Sequence, residues 1–599
     1  MNEVFDNRSN SYISQTVPVK AGDGLRISLL LHDGCNCCAA WLVIRPDNGK
    51  YRWIPMEWTA KKDGCFNWWT ADFTPEKSGI YWYRFEFEGN WQRNIITRVN
   101  KGFGDITANG DEWQLTVYDA DFKTPEQLSG GLIYQIFPAR FYNSGKKKEN
   151  VPSDRYIATD WYSQPAWRQN CGANSLCNDY YGGDLPGITE KLPYIASLGV
   201  TLIYLNPIFE AHSNHRYNTA DYMNIDPLLG TVDDFRTLCN EAQKYGIGII
   251  LDGVFSHTGD DSKYYNKYRR YETDGAYNSQ SSPYYSWFKF DRWPDKCHCW
   301  WGVPSLPETV EDDESFTEFI CGENGVLRYW LRQGASGWRL DVADELPDKF
   351  LDEIRTAIKS ENPDALLIGE VWEDASNKIS YGARRRFIIG KQLDSVMNYP
   401  FCNAIIDFVR GSDSGENFID RIMQIVGNYP PCALNMLMNH IGTHDTARIL
   451  SVLGGAPLGL DRAAQSQVVL SPQQRERGLM LLRLAAVLQY TLPGIPSLYY
   501  GDEVGMEGLS DPFNRMGYPW KNEDNGLLSF YRKMGEIRKN PAFAGGEFVP
   551  LFASGRTVAY MRKNGESSVI IAVNCGETPA VIKTEFGDIP LAPLGFYIS

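Results

Sequence analysis

Gly337-Trp338-Arg339-Leu340-Asp341-Val342-Ala343-Asp344-Glu345 is a short apolar run that ends in charge. Read as a strand, it sends residues i and i+2 to the same face. Arg339 and Asp341 then project together where the strand stops. A cation that close favours the ionised carboxylate and lowers its pKa, so Asp341 is expected to be charged at neutral pH. Taken alone, an Arg-x-Asp pattern is more often a structural ion pair than a reactive one. The neighbouring segments decide between the two.

On both sides of this stretch, apolar strands alternate with amphipathic helices. Leu132–Phe137, Thr201–Leu205 and Ile247–Val254 precede it. Ala365–Glu370, Ser395–Met397, Leu434–Ile441 and Pro496–Tyr500 follow it. Residues 187–198 and Thr231–Tyr245 read as helices, the second with Thr231 as N-cap and Gly246 as the stop signal. Continuous apolar strands separated by helices signal a parallel sheet. Eight such strands predict an α/β fold, a (β/α)8 TIM barrel over 121–545 with an inserted loop domain, about 256–307, after strand 3. Before it, residues 1–120 alternate in the manner of a β-sandwich, as in Leu25-Arg26-Ile27-Ser28-Leu29. Residues 101–130 are expected to form the linker, and 546–599 a small C-terminal β-domain.

Composition bounds the partners. A net charge of -15 argues against nucleic acid and anionic membrane surfaces and is compatible with a neutral ligand. The 18 Trp and 34 Tyr supply flat faces that suit sugar rings, although most such residues fill cores. The start of the chain shows no basic and apolar leader pattern, so a secretory signal is not expected. Leu479–Tyr500, the most apolar long segment, is interrupted by Arg483, Gln489, Pro493 and Pro496 and reads as a buried helix and a strand. The 13 scattered cysteines fit free thiols in a reducing cytoplasm, and the Cys35-x-Cys37-Cys38 and Cys297-x-Cys299 spacings lack the two pairs of a zinc site.

Barrel enzymes carry their reactive groups where strands end. Strand three ends in Asp252-Gly253-Val254-Phe255-Ser256-His257, strand four in Arg339-x-Asp341, strand five in Gly369-Glu370-Val371-Trp372, and strand seven in Gly442-Thr443-His444-Asp445. Carboxylates, an arginine and two histidines converging on one rim are hard to read as structural alone. Two carboxyl groups across one bond suit glycoside hydrolysis, where one attacks carbon and the other carries a proton. Asp341 beside its cation suits the ionised role, and Glu370 beside Trp372 the acid role. Asp445 then faces developing positive charge, with His257 and His444 near sugar hydroxyls.

DGVFSH, GWRLDVADE, GEVW and GTHDTARIL, in that order, resemble the four signature regions of the α-amylase family of glycoside hydrolases (family 13). The leading sandwich and the Val-Ala-Asp-Glu ending resemble its neopullulanase, cyclomaltodextrinase and maltogenic amylase group. The resemblance implies a retaining mechanism with Asp341 as nucleophile, Glu370 as general acid/base and Asp445 as transition-state stabiliser. It implies that Arg339 positions the nucleophile, that His257 and His444 contact hydroxyls, and that Tyr217 stacks beneath the sugar. Asp252 either braces its strand end or touches substrate. Trp372, Glu345 and Arg448 are expected at the rim, and Asp511 and Arg515 resemble the loop after strand eight.

The implied substrate is an α-glucan oligosaccharide, with α-1,4 and possible α-1,6 cleavage and no required cofactor. Relatives of this kind pair into homodimers through the N-terminal domain. Two departures stand out. Val303-Pro304-Ser305-Leu306-Pro307-Glu308 replaces a Met-Pro-Lys-Leu type string. A structural Ca2+ site of the family is represented by Asn143, Gly182 and Asp184, but Lys146-Lys147-Lys148 stands where acidic ligands would be wanted. A transglycosylase on the same scaffold and a non-catalytic binding relative are the alternatives.

Overall fold

The computed structural model describes residues 4–15, 18–168 and 177–599. The chain divides into two compact units, one of residues 1–123, 374–392 and 420–434, the other of the remaining residues.

The second unit is built on eight parallel strands: β1 (Ile133–Ile136), β2 (Leu202–Leu205), β3 (Gly248–Gly253), β4 (Gly337–Leu340), β5 (Leu366–Gly369), β6 (Ser395–Val396), β7 (Met438–His440) and β8 (Ile495–Tyr499). All eight fall within one or a few residues of the expected positions. They hydrogen-bond in the order β6-β5-β4-β3-β2-β1-β8-β7, and a parallel bridge from Met397 to Met438 joins the two ends into a barrel. Ile133, Leu202, Tyr204, Ile250, Leu366, Ile368, Met438 and Ile495 fill its interior and are essentially inaccessible to water. Burial on both faces explains why these strands read as unbroken apolar runs.

Local chemistry sets the helices. Val232–Gln243 begins at a capping box in which Thr231 and Asp234 each satisfy the other's backbone N–H. The helix expected over 187–198 is two short ones, Leu185–Glu190 and Leu192–Ala196. Pro193 supplies no N–H to continue the first helix and sits instead in the first turn of the second. Pro472–Thr491 is the buried helix expected before β8. No helix among the described residues is long and apolar enough to cross a membrane.

An antiparallel hairpin that the sequence reading did not anticipate, Phe209–Ala211 with Thr219–Ile225, follows β2 and holds Tyr217 in its connection. In the insertion after β3 the regular structure is a ribbon, Phe290–Arg292 with Lys296–Cys297, plus short 3-10 turns. Tyr264, Trp287, Phe316 and Phe319 cluster beneath it with ring centroids 5.1–5.6 Å apart. Past the barrel, Glu547–Ser554, Thr557–Asn564, Ser567–Asn574 and Gly595–Ile598 form a four-stranded antiparallel sheet.

The first unit is an almost wholly antiparallel ten-stranded assembly around Phe5, Ile27, Leu42, Phe85, Ile96 and Trp113. Part of the stretch expected as a linker belongs to it. Phe103–Ile106 and Trp113–Tyr118 are strands, and Trp113 is fully buried against Tyr83, with near-parallel rings 5.6 Å apart. Gly, Asp and Thr around these strands mask one large aromatic anchor.

Candidate active site

The C-terminal ends of β3, β4 and β5 converge on one guanidinium. Arg339, wholly buried at the end of β4, donates from Nη1 to Asp252 Oδ1 and to Asp341 Oδ1, each at 2.8 Å. Its Nη2 lies 2.8 Å from Glu370 Oε2. The alternation of β4 places Arg339 and Asp341 on the same side, as expected; the neighbouring parallel strands supply the other two carboxylates. Register makes this possible, because Asp252 pairs with Arg339 and Leu340 with Gly369, so the three strand ends are level.

Sharing one cation among three carboxylates reverses an expectation. Asp341 was expected below the usual aspartate range because of Arg339. Burial pushes it well above, and the neighbouring negative charges of Glu370 and Asp252 add to that; the single arginine only partly opposes it. Asp252 is also raised, chiefly by burial, although Tyr204 and Tyr217 donate to its Oδ2 at 2.6 and 2.8 Å. Those contacts make Asp252 a brace for the arginine and for Tyr217. Glu370 is fixed from two more directions: the backbone N–H of Val342 donates to Oε2 at 2.9 Å and the indole of Trp372 to Oε1 at 3.1 Å. Trp372 is half-exposed and lies flat on Tyr399, 4.1 Å between centroids and 13° between planes.

A second chain of contacts orients the loop after β7. The Gln135 amide, at the end of β1, donates to His444 Nδ1 across 2.9 Å, which leaves the ring proton on Nε2. That nitrogen lies 2.5 Å from the Tyr217 hydroxyl and 3.1 Å from Asp445 Oδ2. Burial holds His444 well below the ordinary histidine range, so the ring is neutral. Tyr217 lies parallel to it, 5.3 Å and 4°. Asp445 is the most open of the three expected acids, with 31% of its side chain exposed, and Arg515 stands 3.6 Å away, itself paired with Asp511 at 2.8 Å. Burial raises Asp445 as well. His257, after β3, accepts from or donates to Ser256 through Nδ1 at 3.0 Å and has no protein partner at Nε2. Burial lowers it to about 4, so it too is neutral.

Two expected rim residues are placed otherwise. Arg448 is buried, donating to the carbonyl oxygens of Asn514 and Tyr500 and to Asp502, and stacked 4.1 Å from Tyr499. It braces the loop after β8 and is not a rim contact; its donors are drawn inward by two carbonyl oxygens and the Asp502 carboxylate. Glu345 is half-buried, and both its oxygens are occupied by indoles, Trp300 at 2.6 Å and Trp301 at 2.7 Å. The sequence reading missed Gln135, Tyr204, Tyr399, Trp300 and Trp301. Gln135 and Tyr204 were discoverable as the polar members of otherwise apolar strands.

Asn143, Gly182 and Asp184 do come together, but not as a free oxygen cage. Asp184 caps the helix at Leu185, accepts from Gly187 N and Ser144 Oγ at 2.7 Å, and is ion-paired with Lys148. Asn143 Oδ1 accepts from Gly145 N at 2.8 Å. A hard cation needs uncommitted oxygens, and here the positive charge facing Asp184 is an ammonium. The donor set does not fit a metal ion. Among the described residues no group of three or more His, Cys, Asp or Glu could hold one.

A closed eight-stranded barrel, carrying a nucleophile-capable carboxylate, a second carboxyl group and a bracing arginine at its C-terminal rim, defines the class of barrel proteins built for paired-carboxyl chemistry. Within that class the chain belongs to the alpha-amylase family: the family model described as alpha amylase, catalytic domain, matches residues 135–541. It is 36% identical over 573 residues to an amylopullulanase of Thermoanaerobacterium saccharolyticum, covering 86% of this chain and 43% of that protein, so it spans less than half of that longer relative. It is 31% identical to a cyclomaltodextrinase of Thermoanaerobacter pseudethanolicus, covering 89% of this chain and 86% of the relative. Among solved structures, the type III pullulan hydrolase from Thermococcus kodakarensis superposes with a TM-score of 0.69 at 27% identity over 99% of both chains.

Proposed function

We propose that this chain is a retaining α-glucan hydrolase that cleaves α-1,4, and also α-1,6, glucosidic bonds in maltooligosaccharides, cyclodextrins or pullulan. The observation that carries the reading is the guanidinium of Arg339, which fixes Asp341 and Glu370 side by side at the strand ends. In the first displacement Asp341 attacks the anomeric carbon, the carbon–oxygen bond to the leaving sugar breaks, and Glu370 delivers its proton to that oxygen. Glu370, now ionised, takes a proton from water, whose oxygen displaces Asp341 and restores both groups. Asp445 opposes the positive charge on the ring, and the unpartnered Nε2 of His257 offers a hydrogen bond to a hydroxyl.

A neutral, polyhydroxyl substrate agrees with the acidic chain. The names of the relatives, which cover amylopullulanase, cyclomaltodextrinase and pullulan hydrolase, support glucans of both linkages. The proposal needs no cofactor, places the protein in the cytoplasm, where buried thiols such as Cys239, Cys321 and Cys402 stay reduced, and includes a homodimer formed through the N-terminal domain. Incubation with maltotriose, a cyclodextrin and pullulan tests it: the expected result is shorter maltooligosaccharides released in the α-anomeric form. Folded protein that releases nothing from any of the three contradicts the reading, and a β-anomeric product contradicts the double displacement.

A further inference from the structure

Four side chains close a hydrogen-bonded ring beside the proposed acids. The Gln135 amide nitrogen donates to Asn206 Oδ1 at 3.2 Å and to His444 Nδ1 at 2.9 Å. Asn206 Nδ2 donates to the Tyr217 hydroxyl at 3.0 Å, and that hydroxyl lies 2.5 Å from His444 Nε2. Gln135, Asn206 and His444 are each at most 1% exposed, so water cannot replace a lost partner. Neighbouring strands supply the ring: Gln135 lies in β1, Asn206 directly follows β2, and the Asn206 N–H donates to Ile136 O, which keeps the two strand ends level.

A ring of amides, a hydroxyl and an imidazole can run its protons in either direction. Asp252 removes the choice. As the partner of Arg339 it accepts at both oxygens, at Oδ1 from the guanidinium and at Oδ2 from Tyr204 and Tyr217. The single proton of Tyr217 is therefore committed to Asp252. The Tyr217 oxygen must then receive from its two remaining neighbours, Asn206 Nδ2 and His444 Nε2. With its nitrogen turned to Tyr217, Asn206 presents its oxygen to Gln135, which answers with nitrogen. The second N–H of that nitrogen reaches His444 Nδ1. Reversing Gln135 alone would set two amide oxygens 3.2 Å apart. The Gln135 oxygen itself is buried with no hydrogen-bond partner among the described residues, so the amide is held by the ring and not from its other side.

We propose that Gln135 and Asn206 are positioning residues for Asp445, acting through the tautomer of His444. The Nε2–H fixed in this way is shared between Tyr217 and Asp445 Oδ2, which is 3.1 Å from it and nearer than Arg515 is to the same carboxylate, at 3.6 Å. The opposite tautomer would turn a ring lone pair toward both oxygens and push Asp445 away. Which nitrogen of a histidine carries the proton is set by the hydrogen bond at the other, and here that bond comes from a residue remote from the reacting atoms. The effect on turnover rests on the glucan reading above; the tautomer does not.

Two-bond 1H–15N correlation spectra of the full chain labelled with 15N-histidine test this, with the His444 signals among those of the seven histidines identified by their loss in His444→Gln. The expected wild-type ring is protonated at Nε2 and bare at Nδ1; a proton on Nδ1, alone or in addition, overturns the proposal whether or not any variant folds. Gln135→Leu removes the donor, and kcat on maltotriose should fall about tenfold while KM moves much less. Gln135→Glu keeps nearly the same shape but replaces the donor by an acceptor. It should place a proton on His444 Nδ1 and lower kcat at least as far as Gln135→Leu. A residue that merely fills space would give the reverse order, so a Gln135→Glu variant milder than Gln135→Leu, with Nδ1 still bare, overturns the assignment. A wild type that cleaves no glucan, yet shows the expected tautomer and its change in Gln135→Glu, fails the earlier reading alone. A wild type that cleaves glucans while Gln135→Glu leaves the His444 signals and kcat unaltered fails only this one.

Discussion

The indole N–H of Trp372 donates to Oε1 of Glu370 across 3.1 Å, while its ring rests on Tyr399. One residue thus both orients the proposed acid and presents a half-exposed aromatic surface. Trp372→Phe keeps the stack and removes the donor. The expected result is a fall in kcat of up to about tenfold, the worth of one hydrogen bond, with KM moving much less. A change in KM alone would assign Trp372 to substrate packing only.

The buried carboxylate of Asp341 stores a cost that can be measured as stability. A carboxyl whose pKa is raised on folding binds more protons folded than unfolded, so its contribution to stability is lost as pH rises from the unfolded pKa through the folded one. Asp341→Asn removes this penalty while leaving Arg339 paired with Asp252 and Glu370. Melting temperature should rise by about 1 °C per kcal/mol relieved. The gain should be absent below about pH 3.9 and grow toward neutrality. Scanning calorimetry at several pH values checks this, and a loss of stability at pH 7 would show that the carboxylate is net stabilising.

Activity should carry the same signature. The nucleophile must be ionised, so the acid limb of kcat/KM is expected well above the ordinary aspartate value of about 3.9. Burial lowers both His257 and His444, opposite to its effect on Asp341. Asp252 is one of the negative neighbours that raise Asp341. Asp252→Asn should therefore move the acid limb to lower pH, whatever it does to the absolute rate; a limb that stays in place would assign it to another group.

Lys148 predicts how the protein responds to chelation. Its ammonium is the charge that Asp184 faces, and Asp184 is wholly buried. EDTA is expected to leave the melting temperature of the wild-type chain unchanged. Lys148→Met removes the only cation facing this buried carboxylate among the described residues, leaving it its hydrogen bonds from Gly187 and Ser144, and should cost about 3 kcal/mol. A fall in melting temperature on EDTA treatment of the wild type would show that a cation stands beside the lysine after all.

The sequence by itself determined the barrel and where its strands end. The reason is periodicity: doubly buried strands must be continuously apolar, so their first charged residues mark where the barrel opens. Asp252, Arg339, Asp341 and Glu370 were readable because each lies in or directly after the end of such a run, and Asp445 because it is the first acidic residue after β7. Arg448 was misread because a charged residue near a strand end can also turn inward, and only the carbonyl oxygens of Tyr500 and Asn514 reveal that it does. Glu345 shows the same limit, since its two indole partners lie in the loop after β3.

Tertiary structure alone decided the electrostatics. GWRLDVADE offered one cation beside one acid and so an acid of lowered pKa. Folding brought Asp252 and Glu370 to the same guanidinium and removed water from all four groups, which turned that direction round. Likewise Trp300 and Trp301 are anonymous aromatics in a loop until the turn at φ 49° and the carboxylate of Glu345 place them beside His257. Local pattern shows where each strand ends. How many neighbours each terminal residue must share its charge with is a property of strands far apart in the chain.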